Sequence, residues 1–463
     1  MSSLLPKNKK WRVGLLSLGC PKTLVDSEVI LGKLDEKRYD LAPSVTDCDI
    51  ALINTCAFIQ DAQQESIDHI LRLIELKKEG AIHKLIVMGC LTQRFAPELQ
   101  EELKEVDAFV GSGEYAKIPQ IMEQVTSGVG LVSEIGIPGY LYTSAERRVH
   151  LTPRYSRYLK LSEGCDHTCS FCVIPSFRGK HRSRLFEDVV EEATYLVEDG
   201  AREIILAGQD TTFFGYDLKG KYLLSELLRE LNKIQSLRWI RILYAYPSLV
   251  TDSLIESMAK LDKVCHYLDM PLQHVNDRIL KSMRRGTTHQ ATIRLVEKLR
   301  SRIPDLAIRT TFIVGYPGET EAEFDELLRF MEWAQFERLG VFTYSQEQGS
   351  DAAGLSGQIP DKVKQQRLER AMVLQQKISS ENNRKLMGKI LQVLVEEEAK
   401  AGVWMGRTYM DAPDVDGKIL FSTVNRRQKI KAGDFVFVKV QDSQEYDLIA
   451  EWVEARKLEV ILP

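Results

Sequence analysis

The sequence predicts an α/β protein in three parts: an N-terminal open parallel α/β domain, a central partial (β/α)6 barrel and a C-terminal small antiparallel β-barrel. Three observations predict it. Strand-length apolar runs alternate with amphipathic stretches from residue 11 to about 125, the pattern of a parallel sheet with helical crossovers. The alternation then breaks and resumes for six repeats between residues 154 and 388. Over residues 389–463 the helical period is lost, and short apolar or alternating runs are punctuated by Gly and Asp.

In order, WRVGLLSLGC reads as a strand and DSEVILGKLDEKRY as a helix. CDIALINTC is the next strand, and a long helix follows in which Ile67, Ile70, Leu71 and Ile74 recur at helical spacing. KLIVMGC and VDAFVG are further strands, and AKIPQIMEQV is a helix, which completes a domain over 1–125. Residues 126–153 are rich in Gly, Ser, Thr and Pro, lack periodicity and read as a linker. In the second series the strands are YLKLSEGC, EIILAGQD, RWIRILYAYP, CHYLDMPLQ, IRTTFIVGYPGE and GVFTYSQEQGS. Six repeats fall short of the eight, about 250 residues, of a closed barrel. A charged helix, DKVKQQRLERAMVLQQKISSENNRKLMG, leads to the final strands KILQVLVEEE, KILFSTV and DFVFVKVQ.

With 463 residues, 44% hydrophobic and 28% charged, the chain has ample material for buried cores. No apolar run approaches the ~18 residues of a membrane span, and MSSLLPKNKKW lacks the apolar centre of a secretory signal. The expected location is the cytoplasm, with no membrane partner. A net charge of -4 argues against DNA and against bulk binding of nucleic acid.

Cysteine is the informative residue. In a cytoplasmic chain, clustered thiols point to metal or redox chemistry and not to disulfides. Cys165, Cys169 and Cys172 lie within eight residues, directly after a barrel strand. Three thiolates at this spacing suit three corners of a [4Fe–4S] cluster whose fourth iron is open. The competing reading is a structural zinc, completed by His167 or His181. Cys20, Cys56 and Cys90 are far apart in sequence, yet each follows an apolar strand run: GLLSLGC, ALINTC and LIVMGC. Parallel strands end on one edge, where ligands bind in open α/β folds, so three thiolates can converge there. The competing reading is three inert core cysteines. Cys48 and Cys265 have no such company and read as packing residues.

The triad around Phe171 resembles the radical S-adenosylmethionine enzymes. That resemblance implies a cluster whose open iron chelates S-adenosylmethionine and whose electron splits the sulfonium. It places Phe171 beside the adenine, Gly208 and Gln209 along the methionine part, and the Gly315 loop at the nucleoside. Ordinary βα turns explain the glycines equally well. With RGKHRSR, GQDTT, PLQHVNDRILKSMRRGTT and TTFIVGYPGET, the chain resembles the methylthiotransferases over nearly its whole length. The resemblance implies a second [4Fe–4S] cluster on Cys20, Cys56 and Cys90 that carries sulfur. S-adenosylmethionine is then both methyl donor and radical source, a separate reductant supplies electrons, and C–H becomes C–S–CH3.

Family members act on a tRNA adenosine beside the anticodon or on an aspartate of small-subunit ribosomal protein twelve. SLGCPKTLVDSE and GRTYMDAPDVDG resemble the protein branch, although Thr23 stands where Asn is usual and Val415 where Ile is common. The C-terminal module, which resembles the TRAM RNA-binding domain, has 11 basic and 13 acidic residues over 389–463. An acidic surface suits a basic protein better than tRNA phosphates. Arg426, Arg427, Lys429 and Lys431 form a basic patch that could touch ribosomal RNA in the assembled small subunit. The expected reaction is therefore methylthiolation at the β-carbon of an aspartate of that protein. The rivals are tRNA methylthiolation and a non-catalytic zinc-containing RNA-binding protein. Tyr244, Tyr246 and Asp269 end barrel strands and face either substrate or packing; no acid or base is assigned beyond the cluster ligands.

Overall fold

The computed structural model describes residues 10–423 and 430–453. Its first sheet is parallel throughout. The strands are β1 (Trp11–Ser17), β2 (Tyr39–Leu41), β3 (Ile50–Thr55), β4 (Lys84–Gly89), β5 (Ala108–Gly111) and β6 (Val132–Glu134), in the order β2-β1-β3-β4-β5-β6. Both faces of β3 are buried, which is why IALINT reads as a continuous apolar run and does not alternate. Helices α1 (Pro21–Gly32), α2 (Gln60–Lys78), α3 (Cys90–Glu102) and α4 (Ile118–Ser127) supply the crossovers.

Three of these elements escape the sequence pattern. Strands β2 and β6 have only three residues each, too few to show a period. Since β6 lies within 126–153, that stretch is partly an edge strand of the first sheet. Helix α3 is disguised by Pro97 and by a kink at Phe95, where φ is -128° and ψ is 30°.

All six strands expected in the second series form. They are β7 (Ser156–Lys160), then, after a small hairpin of β8 (Ser162–Glu163) and β9 (Arg182–Ser183), β10 (Glu203–Ala207), β11 (Trp239–Ile242), β12 (Val264–Asp269), β13 (Ala307–Val314) and β14 (Arg338–Thr343). They pair in parallel in the order β14-β13-β12-β11-β10-β7 and form an open six-stranded sheet. Side chains alternate between two cores, as a strand requires. Leu159, Leu206, Ile242 and Phe312 pack against the helices. Tyr158, Ile205, Trp239 and Tyr267 face the other way, onto α1 and the C-terminal barrel.

The last five strands, β15 (Ile390–Lys400), β16 (Val403–Arg407), β17 (Ile419–Ser422), β18 (Phe435–Ser443) and β19 (Leu448–Val453), close in the order β15-β16-β17-β19-β18. The barrel is antiparallel except at β17–β19, which pair in parallel. A ring of five strands cannot alternate direction all the way round, so one seam must be parallel. The expectation of an antiparallel barrel is corrected at that seam. Of the basic patch only Lys431 lies within the described residues.

Candidate active site

Cys165, Cys169 and Cys172 sit on the loop after β8. The Cys172 amide donates to the Cys169 carbonyl at 3.0 Å and the Cys165 amide to the Gly179 carbonyl at 3.1 Å, which folds the loop onto itself. Gly164, at φ +80°, must be glycine: a Cβ there would stand 2.1 Å from the Lys180 carbonyl oxygen. Burial pushes the Cys165 and Cys172 thiols up to about 12. Bare thiols here hold their protons, and metal binding would displace them.

The second triad assembles from three strand ends. Cys20 caps the N-terminus of α1, Cys56 follows β3 and Cys90 opens α3. Gly19, at φ +94°, lets the chain pass so close that an added Cβ would lie 2.9 Å from the Cys56 Cβ. Burial raises the Cys56 thiol, and the Cys20 charge raises it further. Cys90 is pushed to about 12 by burial, against the pull of Arg178, with Cys56 and Cys20 adding to the rise. At Cys20 burial also acts upward, but Lys22 and the Thr23 amide prevail and the net shift is downward.

One side chain joins the two triads. Arg178, six residues after Cys172, is carried by α5 (Ile174–Arg178) into the first domain. Its Nε and Nη2 donate to the Cys90 sulfur at 3.1 and 3.0 Å, and its Nη1 donates to Asp26 at 2.9 Å. Two donors on one sulfur suit the thiolate, the form that ligates metal. Lys160 pairs with both Asp26 and Glu163, and Gln209 Nε2 donates to Glu163 at 2.6 Å. The Gln209 Oε1 and Ser162 Oγ are buried without partners.

Both donor sets fit iron–sulfur clusters: three thiols each, Cys56 and Cys90 buried and the other four partly so, beside glycine-dependent turns. Among the described residues no three His, Cys, Asp or Glu side chains close on one metal. In a cubane, by contrast, each thiolate binds a different iron and stands farther from the others. The histidines of the zinc reading are engaged elsewhere. His167 Nε2 bonds Asp210 at 2.6 Å while its ring stacks on Tyr246 at 3.6 Å, and His181 Nε2 bonds Ser183 at 3.1 Å.

Of the other residues read from sequence, Phe171 packs against the cluster of Ile279, Met283, Tyr316, Tyr344 and Ala352. An added Cβ at Gly208 would approach the unpartnered Ser162 hydroxyl to 2.9 Å. The Gly315 amide donates to Glu319 at 2.5 Å, and Lys364 crosses its Cα, as a tight turn requires. Asp269 is held by Arg309 at 2.8 Å and by the Tyr244 amide at 3.0 Å, whereas the Tyr246 hydroxyl donates to the Arg285 carbonyl at 2.7 Å. Cys48 precedes β3 and Cys265 lies near the start of β12, each at the end of its strand away from the triads, and both are buried in apolar cores. Sequence reasoning missed Lys22, Asp26, Lys160 and Glu163. Only Lys22 left a signal, in the Pro21-Lys22 pair after the first cysteine.

Residues 159–331 match the radical SAM superfamily, 12–111 the uncharacterized protein family UPF0004, and 387–453 the TRAM domain. An open parallel barrel sheet with a three-cysteine loop after its first strand, in such a chain, defines a radical S-adenosylmethionine transferase, the class whose members use a [4Fe–4S] cluster and S-adenosylmethionine. Ribosomal protein uS12 methylthiotransferase RimO of Pelotomaculum thermopropionicum is 47% identical over 96% of this chain and 99% of its own length. The proteins of the same name from Geobacter sulfurreducens (47%, covering 96% and 99%) and Clostridioides difficile (44%, covering 95% and 98%) are similar to the same extent. The chain belongs to this family of methylthiotransferases. Among solved structures, the radical S-adenosylmethionine methyltransferase TsrM of Kitasatospora setae shares the fold, with a TM-score of 0.53 at 14% identity over 71% of this chain and 72% of that one.

Proposed function

We propose that this chain inserts a methylthio group at the β-carbon of an aspartate of ribosomal protein uS12, using a [4Fe–4S] cluster at each triad. The observation that carries the reading is Arg178, which ties the loop of one triad to a ligand of the other and so makes one site of two. When bound, the clusters and S-adenosylmethionine supply one-electron cleavage of a sulfonium at Cys165, Cys169 and Cys172, and a seat for sulfur at Cys20, Cys56 and Cys90.

The chain's own residues then do three things. The triads hold the groups at the carboxyl edges of two parallel sheets, where side chains from successive strands converge. Ser162 and Gln209, with buried unpartnered oxygens, offer hydrogen bonds to the amino acid part of S-adenosylmethionine beside the barrel triad. The buried ion pairs of Asp26, Lys160, Glu163 and Arg178 seal the interface between the domains and exclude water from the space between the triads.

Among the described residues no helix is long and apolar enough to cross a membrane. The reading puts the chain in the cytoplasm with its ribosomal substrate and a reducing electron donor, and without DNA or membrane partners. Mass spectrometry on cells lacking the chain tests it. Intact uS12 should lose its methylthio mass while tRNA nucleosides stay unchanged; loss confined to the tRNA would overturn the substrate. In the purified enzyme, Cys169→Ala should abolish formation of 5′-deoxyadenosine. Cys56→Ala should leave that product largely intact yet end methylthiolation, and wild-type methylthiolation by this variant would refute the second cluster.

A further inference from the structure

Lys22 lies at the domain interface without a carboxylate partner among the described residues. It is the second residue of α1, two positions from Cys20, and only 8% exposed. Its Nζ lies 3.4 Å from the centre of the Tyr244 ring, across the boundary between the first domain and the barrel. Lys160, Arg178, Arg148 and Arg184 are as deeply buried, and each has a carboxylate within ion-pair distance. Among the described residues Lys22 has none. Cys20 and Tyr244 act on its charge most, and Glu163, which acts on it less, is already paired with Lys160 and Arg178.

The surroundings are built around this ammonium. Tyr244 adopts a left-handed backbone, φ +59°, which a side chain other than glycine tolerates only when its neighbours enforce it. They do. Its amide donates to Asp269 at 3.0 Å, its carbonyl accepts from the Thr211 amide at 3.1 Å, and Asp269 is fixed in turn by Arg309. The aromatic face is thereby held under the cation, a favourable contact. The N-terminus of α1 opens on the same place. It has no side-chain cap, and the helix dipole adds positive potential there.

We propose that Lys22 binds the side-chain carboxylate of the aspartate that is modified; this rests on the uS12 reading above. The carboxylate carbon is bonded directly to the β-carbon. Anchoring it on Lys22, two residues from Cys20, fixes the reacting carbon beside the triad that seats sulfur. A neutral base offers no such charge, so the same ammonium selects an aspartate over an adenosine and over an asparagine.

The test measures binding of two peptides to the anaerobic two-cluster holoenzyme by fluorescence anisotropy. Both carry the uS12 target loop, one with Asp and one with Asn at the modified position. Wild type and Lys22→Arg should prefer the Asp peptide by about tenfold or more, and Lys22→Met should bind both alike. Lys22→Met should also keep its full iron content and its affinity for S-adenosylmethionine. Retention of the Asp preference by Lys22→Met would overturn the proposal. Loss of iron would assign the ammonium to the Cys20 thiolate instead, and weakened S-adenosylmethionine binding would assign it to that ligand's carboxylate; either result overturns it too. If wild type bound neither peptide, the uS12 reading itself would fail and Lys22 with it.

Discussion

Arg178 is 3% exposed and bonds Cys90, Asp26 and Glu163, so its guanidinium serves at once as a tie between domains and as the partner of a buried thiol. Replacing it with Met leaves two buried carboxylates to share Lys160, and loss of one partner from such a group costs about 3–5 kcal/mol. A fall in the midpoint of denaturant unfolding checks this. Arg178→Lys should recover only part of the loss, because an ammonium cannot reproduce the planar fork that reaches Cys90 and Asp26 together. Gly19 makes a sharper case. Its Ala variant must leave φ +94° and move Cys56, so reconstituted protein should bind about half the iron yet still cleave S-adenosylmethionine at Cys165, Cys169 and Cys172. Full iron loading would refute the role assigned to that turn. The positions of the six cysteines, three at strand ends and three on one loop, were legible in the sequence because strand-end register and tight spacing are local signals. The role of Arg178 was not, since its partners lie on another domain; Asp26 is 152 positions from Arg178.

Among the elements, legibility followed length and chemical punctuation. The six barrel strands and the helix Asp361–Arg384 could be read because each holds its pattern over several residues and meets Gly, Pro or charge at its ends. Strands β2 and β6 are edge pieces whose existence depends on β1 and β5 beside them, information no local window contains. Helix α3 shows a different failure. Pro97 disrupts the local pattern, while the apolar face set by Leu91, Ala96 and Leu99 is buried against the first sheet and holds the helix together. The helix Glu321–Ala334 has the opposite design, beginning with a capping box in which Thr320 and Glu323 bond each other's backbone amides. Thr320→Ala should cost about 1 kcal/mol, seen as a small drop in thermal midpoint with iron content unchanged. A change in iron content would mean that this helix positions the cluster loop, a role its contacts do not indicate.

The C-terminal barrel is fastened to the central sheet by buried charges, and this changes the meaning of its most distinctive segment. GRTYMDAPDVDG reads in sequence as a marker of the protein-modifying branch. In the structure Arg407 donates to Glu203 at 2.7 Å, Asp411 accepts from Arg338 at 2.8 Å, and Asp416 accepts from Tyr267 at 2.7 Å. The segment is therefore a latch onto barrel strands. Because Asp411 and Asp416 are spent on it, the exposed surface of the module is less acidic than its composition suggests. Glu203 is the centre of the latch: fully buried, it accepts from Arg407, from Arg241 at 2.9 Å and from Ser156 at 2.8 Å. Burial alone would raise its carboxyl, but Arg407 and Arg241 hold it at about 2, below the ordinary 4.5. A depressed carboxyl contributes stability that is complete above its unfolded value and lost as pH falls through its folded value. Here that window runs from about pH 5 to about pH 2, and the contribution at neutral pH is about 3 kcal/mol. Glu203→Gln removes both the charge and the titration. Its unfolding midpoint in denaturant should fall at pH 7, and its stability should change less with pH across that window than the parent's. Parallel stability curves for the two proteins would show that Glu203 does not hold the C-terminal barrel in place.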